Sequence, residues 1–133
     1  MSGAHAVGKE ELFATSDVLT LHYKLSERSR GLVSAAELSL MKPSSIFINT
    51  SRAGLVDMEA LQNALAEGRI RGAGIDVYDT EPLPTEHPLR RTPRTVLTPH
   101  LGYVTEDTYR IFFTQAVEDI AAWQAGEPIR QLT

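Results

Sequence analysis

Short apolar runs alternate along the chain with stretches in which apolar residues recur at every third or fourth position. DVLTLHY (Asp17–Tyr23), SIFINT (Ser45–Thr50), GAGIDVY (Gly72–Tyr78) and RTVLTPH (Arg94–His100) are rich in strand-favouring residues and are bounded by turn-formers. Runs this dense suit strands covered on both faces, as in a parallel sheet. GAHAV (Gly3–Val7) stands as a weaker candidate for a fifth strand. Helix signals fill the intervals. Lys9–Ser16 makes one or two turns. Ser34-Ala-Ala-Glu37 reads as a capping box leading into Leu38 and Met41, and Lys42-Pro43 stops that helix. Asp57 caps the next helix, which carries Leu61, Ala64 and Leu65 on one face and ends before Gly68. The last helix is the longest. It starts at the N-cap candidate Thr105, with Glu106 and Asp107 at the positive end of its dipole. Tyr109, Phe112, Phe113, Ala116, Val117 and Ile120 line one side before Gly126 and Pro128 end it. Strands alternating with helices predict βαβ units and an α/β sheet. The one long loop, Asp79–Arg94, holds prolines at 82, 84, 88 and 93, and loops of that length in a compact domain are usually functional.

Composition narrows the function classes. A chain of 133 residues suits a single domain, here residues 1–133, able to bury about two-thirds of its unfolded surface. With 42% hydrophobic and 23% charged residues it is not a disordered composition. Thirteen Lys and Arg against seventeen Asp and Glu give a net charge of −4, so no basic footprint for nucleic acid or an anionic membrane is present. The absence of Cys excludes disulfides, thiolate zinc sites and a cysteine nucleophile, and no metal site is expected. No apolar run approaches the roughly 20 residues of a membrane span, and MSGAHAVGKEELF lacks a signal-peptide pattern. A cytoplasmic location is the expectation.

Gly72-Ala-Gly74 looks like the start of a dinucleotide fingerprint, but position 77 is Val and a strand follows where a helix is required. Close strand packing is the better reading of these small residues, and no other stretch fits GxGxxG. More informative residues fall at the C-terminal ends of the predicted strands. Arg52 follows SIFINTS, Asp76 and then Glu81 follow GAGI, and His100 follows TVLTP. Ligands of open parallel sheets bind beyond those ends. Arg offers a planar fork for a carboxylate, and His carries a proton near neutral pH, its charged form favoured by a neighbouring carboxylate. The set suits proton transfer at a hydroxyl or carbonyl next to a carboxylate. Each residue also has a plain alternative: a solvated Arg52, a loop Glu81, a His100 that caps the last helix, and an Asp76 that accepts backbone hydrogen bonds in a turn.

INTSRAGLVD, GAGIDVYDTEPLP and VLTPHLGYVTED resemble, in order, signatures of the D-isomer-specific 2-hydroxyacid dehydrogenases, and ATSDVLTLHYKLSERSRGLV and AAELSLMKPSSIFINTS resemble the segments before them. The likeness runs from about Gly3 to Pro128. It implies a partial Rossmann-like parallel sheet of four or five strands with flanking helices and a long C-terminal helix. It also implies an NAD(P)-dependent oxidoreductase that interconverts a 2-keto acid and a D-2-hydroxy acid by hydride transfer. By the same resemblance Arg52 holds the substrate carboxylate and carbonyl, His100 exchanges the proton, and Glu81 orients and charges His100. Asp76 holds the nicotinamide end of NAD or NADP, while His22, Tyr23, Lys24, Leu25, Thr50, Ser51, Gly102 and Tyr103 line cofactor or substrate. Departures from the family pattern are Tyr23-Lys24 where a proline is common, Ala53 where glycine is usual, and Tyr103 where Trp or Gly is frequent. An aromatic ring at 103 favours an apolar substrate tail.

Intact members open their nucleotide domain with strand–GxGxxG–helix, which this sequence does not contain. The expectation is a truncated chain, the C-terminal half of that domain, binding cofactor weakly by itself. DVLTLHY then becomes an apolar sheet edge and the last helix keeps an exposed Phe112/Phe113 face, so a homodimer or larger assembly is expected to cover them. The alternative reading is a non-catalytic binding or dimerisation module.

Overall fold

The structure is a computed structural model and describes residues 3–132. Its elements in chain order are α1 (Lys9–Thr15), β1 (Val18–Leu21), α2 (Ala35–Leu40), β2 (Ile46–Asn49), α3 (Met58–Ala66), β3 (Gly72–Ile75), β4 (Thr95–Leu97) and α4 (Glu106–Gln124), with single 3₁₀ turns at Ala53–Leu55 and Pro88–Arg91. The chain divides into two compact units between His100 and Leu101.

In the first unit four parallel strands lie in the order β1-β2-β3-β4. Parallel neighbours need crossovers, which α2, α3 and the Asp79–Arg94 segment supply in turn. The register places Leu19, Phe47 and Ala73 in one row and Leu21, Asn49 and Ile75 in the next. These residues are buried, and the apolar ones form one core with Phe13, Leu38, Leu61, Ala64, Leu65 and, from the Pro88–Arg91 turn, Leu89. The other face carries Val18, Ile46 and Gly72, then Thr20, Ile48, Gly74 and Val96. Val18 is 57% exposed and Val96 68%.

This corrects the expectation of strands covered on both faces. Only one face of the sheet is buried, because the helices α1 to α3 all contribute to the same core. The strands are also shorter than the runs that predict them, ending at Leu21, Asn49, Ile75 and Leu97, so the last residues of each run lie in loops. Gly3–Val7 forms no strand and the sheet has four. Gly and Ala, which make up three of those five residues, are poor strand formers and leave little to hold the segment at an edge.

Local chemistry sets the helix ends. The Ser34 N–H donates to Glu37 Oε2 at 2.8 Å, and Ser34 Oγ accepts from the Ala36 N–H, completing the capping box. Lys9 Nζ meets Glu37 Oε1 at 2.8 Å and joins α1 to α2. Burial opposes ionisation of Glu37, but hydrogen bonds from Lys9 and from Ser34 outweigh it and hold the carboxyl down to about 2. Asp57 Oδ1 accepts from the Ala60 N–H at the start of α3, and Gly68, at φ 70°, follows its end. At Gly72 a Cβ would sit 3.0 Å from the Arg94 carbonyl oxygen, tighter than nearly all real Cβ contacts, so β3 and the chain entering β4 approach closely there. At Gly74 it would meet Ile48 at an ordinary 3.9 Å. Close packing therefore explains Gly72 and not Gly74.

In the second unit Thr105 Oγ1 accepts from the Thr108 N–H and starts α4. No residue of α4 is buried, and the Tyr109 and Phe113 rings sit 5.6 Å apart on it. The following segment turns back so that Arg130 pairs with Glu118 and Asp119. Among the described residues no helix is long and apolar enough to cross a membrane.

Candidate active site

Two clusters form where the parallel strands end. The first joins β3 and β4. The Thr98 N–H donates to the Ile75 carbonyl at 3.0 Å, extending the ladder by one residue. Asp76 is buried, its N–H donating to the Asn49 carbonyl at 3.0 Å and its Oδ1 accepting the Thr98 hydroxyl at 2.5 Å. Further along, Glu81 Oε1 accepts the Tyr78 N–H at 2.9 Å, and Glu81 Oε2 lies 2.8 Å from His100 Nδ1. The Tyr78 N–H, and after it the His100 contact, hold the Glu81 carboxyl below the usual range, so it is an anion at neutral pH. A carboxylate only accepts, so Nδ1 carries the proton of this contact. His100 itself has φ 59°, in the left-handed region. A cavity of about 530 Å³ adjoins the pair, walled by Tyr78, Leu83, Leu97 and Pro99.

The second cluster joins the ends of β1 and β2. Asn49 is fully buried and uses both ends of its amide on the turn that follows. Its Nδ2 donates to the Arg52 carbonyl and its Oδ1 accepts the Ser51 N–H, each at 3.0 Å. The turn projects Arg52 outward in extended backbone, φ −148°, with Nη1 on the Ser51 carbonyl at 2.6 Å. Ser51 Oγ donates to the Tyr23 carbonyl at 2.7 Å and ties the two strand ends together. His22, Tyr23, Lys24, Leu25, Thr50, Ser51 and Arg52 line one cavity of about 490 Å³. His22 Nε2 lies 3.1 Å from Thr20 Oγ1.

The structure thus groups the sequence-predicted residues in two sets. Glu81 and His100 meet at the β3–β4 end, where Asp76 is tied to Thr98, whereas Arg52 shares a cavity with residues 22–25, Thr50 and Ser51. Adjacent strands lie about 4.8 Å apart, so the β2 and β4 ends are separated by about 10 Å across β3. That spacing suits one small molecule held by both. Gly102 and Tyr103 fall in the second unit, in the turn before α4, where the Val104 N–H reaches the Leu101 carbonyl and the Thr105 N–H the Tyr103 carbonyl. Sequence reasoning missed Asn49, Tyr78 and Thr98. All three stand inside apolar runs and read as strand residues; only the early ends of β3 and β4 turn Tyr78 and Thr98 towards the site.

A family model described as the NAD binding domain of D-isomer specific 2-hydroxyacid dehydrogenases matches residues 1–102. The chain belongs to that family. The matched span contains Arg52, Asp76, Glu81 and His100, so the resemblance drawn from INTSRAGLVD, GAGIDVYDTEPLP and the first part of VLTPHLGYVTED is met. The glyoxylate reductase of Aeropyrum pernix is 38% identical over 125 residues, covering 94% of this chain and 37% of the relative. Among solved structures, phosphoglycerate oxidoreductase from Vibrio cholerae O395 superposes with a TM-score of 0.80 at 43% identity, covering 91% of this chain and 39% of that one. The NAD-complexed D-isomer specific 2-hydroxyacid dehydrogenase of Lactobacillus delbrueckii ssp. bulgaricus superposes with a TM-score of 0.80 at 26% identity, covering 96% and 43%. The chain therefore spans less than half the length of these relatives. Its four-stranded parallel sheet with flanking helices is the Rossmann-like arrangement of the family.

Proposed function

We propose that the chain supplies the acid–base part of an NAD- or NADP-dependent oxidoreductase that interconverts a small 2-keto acid and the matching D-2-hydroxy acid. Residues 1–133 are read as the C-terminal half of its nucleotide-binding domain. The 2.8 Å contact between Glu81 Oε2 and His100 Nδ1 carries this reading, because it puts a proton on Nδ1 and sets an anion beside the ring, which favours the charged imidazole that proton exchange passes through. Arg52, about two strand spacings away, presents a fork for the carboxylate and carbonyl of the acid. During reduction His100 Nε2 donates a proton to the keto oxygen, and in the reverse direction it removes the hydroxyl proton. Glu81 stabilises the ring while it is charged. A bound nicotinamide cofactor supplies or accepts the hydride. The cavity walled by Thr50 and Ser51 offers hydroxyls and open backbone at the strand ends, which fits the nicotinamide–ribose end of such a cofactor. Asp76 would hold that end, oriented by Thr98, with Gly102 and Tyr103 as further lining. No stretch of the sequence offers the glycine-rich pyrophosphate cradle.

The test is reduction of a panel of 2-keto acids with NADH and NADPH by the chain fused behind the front portion of the Aeropyrum pernix relative. Turnover is expected, and a His100→Ala fusion that still turns over would exclude His100 as the acid. A homodimer or larger assembly belongs to the same reading, supported by the open side of β1 and by the apolar residues of α4. Sedimentation as a monodisperse monomer at micromolar concentration would contradict it. A cytoplasmic location agrees with the cysteine-free composition.

A second reading, a non-catalytic binding or dimerisation module, draws on the missing GxGxxG. Each absent charge-assisted phosphate contact removes roughly 1.5–3 kcal/mol. The 133-residue chain alone is therefore expected to show no saturable NADH binding at micromolar cofactor, and saturable quenching of Trp123 fluorescence would count against this second reading.

A further inference from the structure

We infer that Tyr78 is a positioning residue for the Glu81–His100 pair, gripping the carboxylate with its backbone and the histidine's strand end with its phenol. The inference rests on the reading of that pair as the acid–base couple. The Tyr78 N–H donates to Glu81 Oε1 at 2.9 Å, the oxygen that does not face His100, while Oε2 faces Nδ1 at 2.8 Å. The Tyr78 hydroxyl reaches the Thr98 carbonyl at 2.9 Å and the Ile75 carbonyl at 3.0 Å, bridging the residue after β4 and the last residue of β3. The same Thr98 carbonyl accepts the His100 N–H at 3.1 Å. One residue therefore stands a single hydrogen bond from the carboxylate and a single shared carbonyl from the histidine backbone.

His100 needs such restraint. Its φ of 59° lies where side-chain-bearing residues are uncommon, and a conformation of that kind persists only when its surroundings over-determine it. The ring contact with Glu81 fixes one end of the residue, and the Thr98 carbonyl fixes the other. Tyr78 acts on both. Burial, and next the Asp76 charge, push the Tyr78 phenol above its ordinary value, so it remains a neutral donor throughout the working pH range. Phenylalanine in its place keeps the volume and the N–H to Glu81 but releases the Thr98–His100 turn. The expected consequence is a looser orientation of the imidazole within an intact fold.

The ring nitrogens report this directly. The chain has four histidines, and the ¹⁵N shifts of a neutral imidazole distinguish its two tautomers. Glu81 selects the Nδ1–H form of His100. His87 is a built-in control of opposite sense, because its Nδ1 accepts the Leu89 N–H at 3.2 Å. In the wild-type chain His100 is expected as Nδ1–H and His87 as Nε2–H, and Glu81→Gln moves His100 alone. Tyr78→Phe is expected to lower the tautomer ratio at His100 about tenfold, the fold-change that corresponds to roughly one net hydrogen bond, with His87 and the amide spectrum unchanged. If Tyr78→Phe leaves His100 as in the wild type while Glu81→Gln shifts it, the role of Tyr78 falls and the pair stands. A wild-type His100 in the Nε2–H form overturns the pair itself. If Tyr78→Phe loses the native amide spectrum, or moves His87 as well, Tyr78 is a general structural residue and the inference is overturned.

Discussion

The ends of β2 and β4 each deliver one basic side chain to the same edge of the sheet, by opposite means. At the β2 end the turn is organised from inside. Buried Asn49 holds the backbone of residues 51 and 52, and Arg52 emerges in relaxed extended geometry, its guanidinium on the neighbouring Ser51 carbonyl. At the β4 end the backbone is in the left-handed region and the side chain is held from outside, by a carboxylate 19 residues earlier in the chain. The difference matches what each group is proposed to do. A cation meant for an incoming carboxylate keeps its strongest hydrogen bonds for that anion. A histidine meant to pass a proton needs its tautomer and orientation settled beforehand.

The sharpest way to break this comparison is to remove each charge in the active fusion. His100→Ala is expected to lower kcat on the order of 10²- to 10⁴-fold. Arg52→Lys keeps the charge, loses the fork, and is expected to raise KM for the keto acid about tenfold with a smaller change in kcat. Equal effects on kcat from both, measured by steady-state kinetics, would erase the distinction. Next in size is Asn49→Ala, which leaves the Ser51 N–H and the Arg52 carbonyl without their buried partner. Urea melts are expected to show a loss of about 1–3 kcal/mol, with the Arg52 turn loosened and the Glu81–His100 contact unaffected.

The smallest effect lies away from the site and provides a reference. The Glu37 carboxyl titrates near 2 in the fold against an ordinary 4.5, so the unfolded chain takes up the proton first as pH falls. Its contribution is complete above about 4.5 and disappears as pH drops towards 2. Glu37→Gln preserves the capping pattern but not the charge. It is expected to cost about 1 kcal/mol at pH 7, and thermal melts of the two proteins should converge at the acid end.

Much of this arrangement is legible in the amino-acid order because the signals are local. Ser34 with Glu37, Asp57 with Ala60, and Thr105 with Thr108 each make their cap within three residues, and a sequence pattern displays such pairs directly. Positions at strand ends are nearly as plain, which is why Arg52, Asp76, Glu81 and His100 stand out. What escapes is decided at a distance. VLTL marks its uncovered side by Thr20 alone, because Val18 there is as apolar as the buried Leu19. The roles of Tyr78 and Thr98 depend on where β3 and β4 stop, which the ladder between them settles. Asn49 reads as the last residue of an apolar run, and only its burial shows that it shapes the turn carrying Arg52.

The cavity shared by Arg52 and Lys24 has a consequence for how the proposed keto acid would approach. The chain is net negative, at −4, which opposes such an anion from afar. Close to the β2 end the two cations of this cavity attract it instead. Repulsion at long range is screened by salt beyond about 8 Å at physiological ionic strength, whereas contact at the guanidinium is screened far less. Raising the ionic strength should therefore quicken the approach of the anion while only slightly weakening its hold.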